Sequence, residues 1–298
     1  MIIDSSVKKL MQEALREDIG SGDITTDAIS GKTEKGKFVI LARERAVISG
    51  LDIAEAVFKT VDSKVDFKPL TKDGAYVASG KEIAHLDGRC RSVLAAERTA
   101  LNFLGWLSGV SSLTSRFVKS VEGTQAKIMD TRKTIPIFRN LQKYAVKMGG
   151  GTNHRMGLDD QILIKDNHIA SIMAESLNSK AKKVALVVAL EAVNKNVAKE
   201  KKIEVEVDSL EMLETVLSFK PDIIMLDNMK VDDIKLAVKQ RDDYRLKFGD
   251  LDSKLLLEAS GGINIGNVKS IAKTGVDRIS VGALTHSAPS VDISLEVI

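Results

Sequence analysis

The sequence between residues 203 and 228 reads IEVEVDSLEMLETVLSFKPDIIMLDN. Its first run, Ile203–Asp208, alternates apolar and charged residues as a strand does, and its last run, Asp222–Asn228, is an apolar stretch bounded by polar residues. Between them, Ser209–Phe219 has the apolar spacing of a helix. A strand, a helix and a strand in series indicate parallel strands of an α/β fold.

The same alternation extends to both sides of this stretch. Four further apolar runs end in polar or glycine-rich residues: Ala126–Lys133, Gln161–His168, Lys254–Gly262 and Asp277–Ala283. Helical segments such as Val231–Lys239 and Ile265–Thr274 separate the later runs. Strands in such a series suggest an α/β barrel, in which the carboxyl ends of the strands carry the chemistry.

The first hundred residues have a different character. They mix amphipathic helices, such as Val7–Glu17, with strand-like segments, such as Gly36–Leu41, and predict an α+β domain. Apolar residues at spacings of three, four and seven then predict one long helix over Ser92–Val121. We interpret this helix as the bridge between two domains.

The composition is that of an ordinary globular protein. The 298 residues are 44% hydrophobic and 29% charged. The net charge of +3 does not by itself indicate nucleic-acid binding. The longest apolar run, near Val184–Val193, is too short for a membrane span, and the N-terminus is not a signal peptide. The one cysteine, Cys90, cannot form a disulfide within the chain and lacks an evident base, so we expect a non-catalytic thiol and a cytoplasmic location.

Cationic residues recur where predicted strands end. Arg132 and Lys133 follow one strand, Arg155 lies in a segment opened by three glycines, and Lys165 follows the next strand. In one cavity these four charges would repel one another strongly unless an anion lay between them. Arginine binds carboxylates or phosphates in a bidentate manner, and lysine adds a point charge. One such arginine alone is usually a surface salt bridge, but the repeated pattern predicts an anion-binding site.

Acidic residues form a second group. Glu204, Glu206 and Asp208 share one face of a predicted strand because they lie two residues apart, and Asp227 ends the following strand. Acids at the mouth of a barrel, opposite cations, suit contacts to a divalent metal or to ribose hydroxyls. Pairing with the nearby lysines is an equally good interpretation, and the sequence leaves both open.

Two glycine-containing turns follow the last two strands. They are Ser260–Gly262 and Val281–Ala283, and they predict a phosphate site because glycine lets backbone N–H groups approach a phosphate. His286 follows closely and is interpreted as a turn or core residue. The sequence shows no Ser/His/Asp order and no Cys/His spacing typical of zinc.

Seven motifs, in order along the chain, resemble those of nicotinate-nucleotide pyrophosphorylase, also called quinolinate phosphoribosyltransferase. They are Arg16–Thr26 (REDIGSGDITT), Glu97–Asn102 (ERTALN), Asp130–Thr134 (DTRKT), Gly149–Gly157 (GGGTNHRMG), Leu163–His168 (LIKDNH), Leu226–Asn228 (LDN) and Glu258–Ile263 (EASGGI). The resemblance runs from about residue 7 to the C-terminus.

The resemblance implies a fold and an activity. The fold would be an N-terminal α/β sandwich domain over residues 1–115 and an incomplete parallel α/β barrel over residues 116–284, with residues 285–298 expected to pack back on the first domain. The activity would be transfer of phosphoribose from phosphoribosyl pyrophosphate (PRPP) to quinolinate with decarboxylation, a step of NAD biosynthesis that requires Mg²⁺. Family members are homodimers or hexamers, built as trimers of dimers, whose subunits share active sites.

The resemblance also implies roles for individual residues. Arg132, Lys133, His154, Arg155 and Lys165 would bind the quinolinate carboxylates and nearby phosphates, with Arg98 lent by the partner subunit. Glu206 and Asp227 would lie near the ribose and Mg²⁺ as possible metal ligands. Lys133, Lys165, Glu206 and Asp227 would be the catalytic residues. The remaining substrate-binding positions would be Thr131, Ser260, Gly261, Gly262, Val281, Gly282 and Ala283.

The chain departs from the family pattern in two places. Pro136-Ile137 stands where the family usually has Pro-Gly, and the segment between His168 and Ile203 is longer than usual. Three other functions stay open at this point: a molybdenum-transport-associated paralogue, a Schiff-base lyase using Lys133 or Lys165, and a non-catalytic phosphometabolite-binding regulator.

Overall fold

The computed structural model of the chain describes residues 3–29, 31, 33–173, 179–196, 200–248 and 255–298. In chain order its helices and strands are α1 (Ser5–Ile19), α2 (Ile24–Ile29), β1 (Lys35–Ala42), β2 (Ala46–Val47), α3 (Leu51–Val61), β3 (Asp66–Pro69), β4 (Tyr76–Val77), β5 (Glu82–Arg89), α4 (Cys90–Ser120), β6 (Lys127–Met129), α5 (Arg139–Met148), β7 (Ile162–Ile164), α6 (Asp166–Ile172), α7 (Ser179–Asn196), β8 (Ile203–Val207), α8 (Leu210–Leu217), β9 (Ile223–Asp227), α9 (Val231–Lys247), β10 (Leu256–Ser260), α10 (Val268–Ala272), β11 (Arg278–Ser280), α11 (Ala283–His286) and β12 (Ile293–Val297).

The chain divides into two compact units. Unit 1 contains residues 1–115, 135–151 and 284–298, and unit 2 contains residues 116–134 and 152–283. The long helix α4 runs from unit 1 into the first residues of unit 2, as the apolar spacing of its sequence predicts. No helix in the described part of the chain combines the length and the apolar character that a membrane span needs.

Unit 1 is built on a four-stranded antiparallel sheet with the order β12-β1-β5-β3. Its C-terminal strand β12 pairs along the edge of β1, from Ile293 opposite Ala42 to Val297 opposite Phe38. The chain leading to β12 lies directly on α4, where the Val291 N–H donates to the Gly105 carbonyl at 2.9 Å. A Cβ at Gly109 would lie 2.0 Å from the Pro289 carbonyl oxygen, so only glycine permits this approach.

The segment from residue 135 to residue 151 belongs to unit 1, although the sequence-based division places it in the barrel domain. Contacts of α5 with unit 1 account for this. The Tyr144 hydroxyl donates to Asp73 at 2.7 Å, and the Gln142 side chain donates to the Thr285 carbonyl. At the end of α5, Gly149 approaches the Ser111 carbonyl of α4 so closely that a Cβ would lie 2.4 Å from it.

Unit 2 contains a six-stranded sheet with the order β6-β11-β10-β9-β8-β7, and every pairing in it is parallel. Thr152 forms a bridge to Met129 on the outer side of β6. Two residues later, His154 reaches Glu204 on β8 and Glu258 on β10, so the sheet curls around a common interior. The predicted α/β fold, a small N-terminal sheet domain followed by an incomplete parallel barrel, is confirmed.

Candidate active site

The carboxyl ends of the barrel strands carry the predicted residues. Asp130 directly follows β6 and is fully buried. Its carboxylate accepts hydrogen bonds from the Asn153 side chain and, at 2.9 Å, from the His154 N–H. Asp130 therefore fastens the loop that carries Arg155 to the end of β6. Thr131 shapes the same turn, because its hydroxyl accepts from the Lys133 N–H at 3.0 Å.

The structure brings Arg132 and Arg155 together. Burial lowers the pKa of the Arg155 guanidinium, and the neighbouring positive charge of Arg132 lowers it further. The Nε atoms of both arginines are buried without a hydrogen-bond partner among the described residues. Two adjacent guanidinium groups with unsatisfied donors are what an anion-binding site requires, because a bound carboxylate or phosphate supplies both charge and acceptors. Lys133, the next predicted cation, is exposed.

Lys165 and Glu206 form an ion pair across neighbouring strands. Lys165 follows β7, Glu206 lies on β8, and their charged atoms are 3.0 Å apart. The Lys165 side chain is 44% exposed and that of Glu206 is 10% exposed. Pairing of an acid with a lysine, one of the two interpretations left open by the sequence, is therefore present at Glu206.

The loop after β9 is interlocked with the loop after β10. The Asp227 carboxylate accepts from the Asn228 side chain at 2.7 Å, and the Asn228 N–H donates to the Ser260 carbonyl at 2.9 Å. Gly261 has a φ of +90°, and a Cβ there would lie 2.1 Å from Asn228 Oδ1. Glycine is thus required by both backbone conformation and space.

The two glycine turns lie beside each other, because β10 and β11 are parallel neighbours. The Gly262 carbonyl accepts from the Asn267 side chain at 3.0 Å, which holds the first turn. The second turn, Val281–Ala283, is joined to the end of β6 by the Val281 N–H, which donates to the Met129 carbonyl at 2.9 Å. The phosphate-type turns and the Arg132 loop therefore belong to adjacent strand ends.

A buried polar cluster lies inside the barrel. His154 Nε2 is 3.1 Å from Glu204 Oε2 and 3.4 Å from Glu258 Oε1, and the Ser280 hydroxyl donates to Glu258. Both carboxylates are fully buried. The sequence places Glu204 in the acidic group beside Glu206 but assigns no role to Glu204 or to Glu258. Two sequence features could have pointed to these acids: Glu204 lies on the same strand face as Glu206, and Glu258 lies two residues before Ser260.

Opposing influences act on the His154 ring. Burial lowers the pKa of His154, but hydrogen bonds and charges from Glu204 and Glu258 outweigh burial and raise it to about 9. The Arg155 N–H lies 2.7 Å from Nδ1, so a second ring proton is gained only if this hydrogen bond opens. Burial and the charge of Glu258 raise the pKa of Glu204. His154, Glu204 and Glu258 also offer ligand atoms within 4.8 Å of one another that could hold a metal ion.

Arg98 lies on α4 in unit 1. Its guanidinium is 3.9 Å from Glu97, and its side chain is 61% exposed. It lines a cavity of about 690 Å³ together with Asp18, Asn102 and Trp106. All residues that line this cavity belong to unit 1.

The fold and the site together define a class of protein: an α/β-barrel protein whose strand ends combine adjacent guanidinium groups with glycine turns, a set that suits anionic, phosphate-bearing ligands. Comparison with known proteins gives the family. Residues 23–108 match the N-terminal domain of quinolinate phosphoribosyl transferase, and residues 110–296 match its C-terminal domain. The chain belongs to the quinolinate phosphoribosyltransferase family.

Full-length relatives and solved structures agree with this assignment. The nicotinate-nucleotide pyrophosphorylase [carboxylating] of Mycobacterium leprae is 42% identical over 297 residues, which cover 98% of this chain and 97% of that protein. The probable enzyme of that name from Methanocaldococcus jannaschii is 41% identical over 292 residues, covering 97% and 96%. The structure of the pyrophosphorylase from Ehrlichia chaffeensis superimposes with a TM-score of 0.86 at 39% identity and covers 100% of both chains.

Proposed function

We infer that this chain is a nicotinate-nucleotide pyrophosphorylase (carboxylating), a pentosyltransferase of NAD biosynthesis. It transfers the phosphoribosyl group of PRPP to the ring nitrogen of quinolinate and releases pyrophosphate and carbon dioxide, with nicotinate mononucleotide as the product. The observation that carries this inference is the pair Arg132 and Arg155, whose Nε atoms are buried at the strand ends without a hydrogen-bond partner among the described residues. Both arginines lie within residues 110–296, which match the C-terminal domain of the family.

The charges of the reactants suit the site. Quinolinate carries two carboxylates and PRPP carries several phosphate charges, so their approach without cations would be strongly repulsive. We propose that Arg132, Lys133, Arg155 and Lys165 bind the quinolinate carboxylates and nearby phosphates. We assign the 5′-phosphate and pyrophosphate contacts to the turns Ser260–Gly262 and Val281–Ala283, with Thr131 beside the cations.

The bond changes follow from the products. The ring nitrogen of quinolinate forms a bond to ribose C1′ while the bond from C1′ to pyrophosphate breaks, through a transition state with oxocarbenium character. We assign the stabilisation of that developing positive charge to the Glu206 and Asp227 carboxylates. The bond from the ring to the carboxylate beside the nitrogen then breaks, carbon dioxide leaves, and the electron pair on the ring carbon takes a proton. The adjacent positive ring nitrogen stabilises this electron pair, so no covalent enzyme nucleophile is needed.

The residues present also fit Mg²⁺. Glu206 and Asp227 lie on the neighbouring strands β8 and β9, and Glu206 stands in register with Met225, two residues before Asp227. Their carboxylates therefore project from the same side of the sheet at its carboxyl end, and carboxylate oxygens are ligands that Mg²⁺ prefers. Bound there with substrate phosphates, Mg²⁺ would neutralise charge on the departing pyrophosphate.

We further propose a homodimer, or a hexamer built from three dimers, in the cytoplasm. Arg98 supports a shared site, because its side chain is 61% exposed and borders a cavity rich in polar and aromatic side chains. In the proposed assembly this arginine enters the anion site of the partner subunit.

The reaction itself is the test. The purified chain is incubated with quinolinate, PRPP and Mg²⁺, and nicotinate mononucleotide is measured by chromatography, with omission of each reactant as a control. Product that depends on all three components is expected. Absence of product over a wide range of substrate concentrations would refute the proposed function.

Mixing of inactive variants tests the shared site. Arg98→Ala and Arg155→Ala should each be nearly inactive, and mixed dimers should regain part of the activity because one of their two sites would keep both arginines. Subunit exchange is verified with differently tagged chains. Exchange without any recovery would exclude the contribution of Arg98 across subunits.

A further inference from the structure

We propose that Glu204 and Glu258 are positioning residues, which act through His154 to hold Arg155 in place for substrate binding. This inference rests on the proposed function, because it assigns to Arg155 a contact with the quinolinate carboxylates. It adds two buried acids to the machinery of the site, and neither acid would touch the substrate.

A closed ring of contacts joins Glu204, His154, Arg155 and Gln161. Glu204 Oε2 accepts from the Gln161 side chain at 2.5 Å and lies 3.1 Å from His154 Nε2. His154 Nδ1 accepts from the Arg155 N–H at 2.7 Å. The Arg155 guanidinium closes the ring by donating through Nη1 to the Gln161 carbonyl at 2.8 Å. Glu204 thus restrains the backbone of Arg155 through His154, and it restrains Gln161, whose carbonyl accepts from the Arg155 guanidinium.

The tautomer of His154 follows from this ring. Because a backbone N–H occupies Nδ1, the ring proton lies on Nε2 and points towards the two carboxylates. Both ring nitrogens are therefore engaged within the protein. In this arrangement His154 transmits the position of the acids to Arg155, in place of the direct contact with a quinolinate carboxylate that the family resemblance implies for it.

Glu258 makes a second contact with His154. Its Oε1 accepts from the Ser280 hydroxyl and lies 3.4 Å from His154 Nε2, while its Oε2 is buried without a hydrogen-bond partner among the described residues. Glu258 and Ser280 each precede a glycine turn by a few residues. The cluster consequently links the cationic loop to the strands that carry both glycine turns.

Burial explains why a positioning role is the better interpretation. Glu204 and Glu258 have no exposed surface, so they do not reach a substrate directly. Two buried carboxylates cost desolvation free energy, and apolar residues often replace buried charges without loss of stability. We therefore interpret these two acids, which lie behind the anion site, as residues that orient the site rather than as residues that stabilise the fold.

The test compares Glu204→Gln with Glu214→Gln, a surface change on α8 that removes the same charge. The neutral amide oxygen accepts more weakly than the carboxylate, and the amide NH2 group would replace the carboxylate oxygen that lies 3.4 Å from His154 Nε2, so a donor would face the ring N–H and weaken the ring of contacts. We expect the KM for quinolinate to rise about 10- to 100-fold in Glu204→Gln, with the KM for PRPP changed less than about threefold. Glu214→Gln should match the wild type in both constants.

Two further variants keep the test decisive if Glu204→Gln does not fold. Gln161→Ala removes one donor to Glu204 but keeps the carbonyl that accepts from Arg155, and Ser280→Ala removes the donor to Glu258. Each should raise the KM for quinolinate by about 3- to 10-fold. Thermal unfolding measured in parallel identifies variants whose structure is lost.

The outcomes are distinct. Unchanged KM values in folded variants, or equal increases for both substrates accompanied by a lower Tm, would overturn the positioning role. One equivalent of a transition metal that is present in the purified wild type and absent from a His154→Ala variant would also overturn it, because His154 Nε2 would then be a ligand. If the wild type makes no nicotinate mononucleotide, the proposed function fails, and titration calorimetry with quinolinate alone still tests the inference: weaker binding by Glu204→Gln than by Glu214→Gln supports it, and equal binding contradicts it.

Discussion

Gly261→Ala perturbs the interlocked loops after β9 and β10. Gly261 has a φ of +90°, and an added Cβ would lie 2.1 Å from Asn228 Oδ1 and 2.9 Å from the Asn228 backbone nitrogen. The amide oxygen can rotate away, but the backbone nitrogen is held by its 2.9 Å hydrogen bond to the Ser260 carbonyl. The loop itself must therefore move.

The size of the effect follows from two contributions. The left-handed conformation costs alanine about 1–2 kcal/mol, and weakening of the Asn228 to Ser260 hydrogen bond adds about 1 kcal/mol. We expect the free energy of unfolding to fall by about 2–3 kcal/mol. Because displacement of a binding group by about 1 Å can cost about 100-fold in rate, kcat/KM for PRPP should fall by about 10- to 100-fold.

Gly262→Ala is the matched control for this substitution. Gly262 also has a positive φ, +60°, but no heavy atom lies within 4 Å of the position of an added Cβ. It should lose only the conformational contribution of about 1–2 kcal/mol, with a smaller change in kcat/KM for PRPP. Urea unfolding and steady-state kinetics measure both quantities. Equal losses in the two variants would refute the steric argument.

Three further predictions concern single residues. Ile137→Gly should raise the free energy of unfolding by about 0.5–1 kcal/mol in urea titrations, because Ile137 has a φ of +63° and is 76% exposed. Asp62→Asn should lower it by about 1–2 kcal/mol, because buried Asp62 accepts from the Lys64 N–H and from the Arg89 and Ser92 side chains. The hydrogen bond from the Lys64 N–H is the largest influence that holds the pKa of Asp62 below its ordinary value. The difference in free energy of unfolding between the wild type and Asp62→Asn should therefore vanish as the pH falls through that lowered pKa, which unfolding experiments at several pH values measure. Arg132→Lys should raise the KM for quinolinate about tenfold in steady-state assays, because a lysine cannot bind a carboxylate in a bidentate manner.

Ile137 shows how a local departure is accommodated. The family pattern usually places glycine at this position. The structure keeps a left-handed backbone at Ile137, the conformation that glycine adopts most readily. Isoleucine in place of glycine therefore leaves the backbone conformation unchanged in kind, at the cost of strain in an exposed residue.

Some helix boundaries were set by side chains that a periodicity argument does not weigh. The sequence predicts a helix over Ile265–Thr274, but α10 covers only Val268–Ala272. The Asn264 side chain accepts from the Gly266 N–H, and the Asn267 side chain accepts from the Asn264 N–H. These bonds hold the first residues in a turn, because asparagine competes with the helix for backbone partners.

Local sequence patterns are enough to predict the strand–helix alternation of unit 2, the long helix α4 and the cationic motifs at the strand ends. These features are local. The period of the apolar residues distinguishes a strand from a helix, and the residues of each strand-end motif are consecutive in the sequence. In the structure the positive charge of Arg132 acts on the Arg155 guanidinium, as expected when successive parallel strands end at the same edge.

The neighbours of each strand, and the side chains that meet inside the barrel, are known only once the chain has folded. The order β6-β11-β10-β9-β8-β7 places the first and last barrel strands of the chain side by side, and the curl of the sheet brings His154 to Glu204 and Glu258. Those contacts join residues far apart in sequence, and no periodicity encodes them. Closure of the sheet is a global property of packing, so the buried acids behind the anion site became visible only in three dimensions.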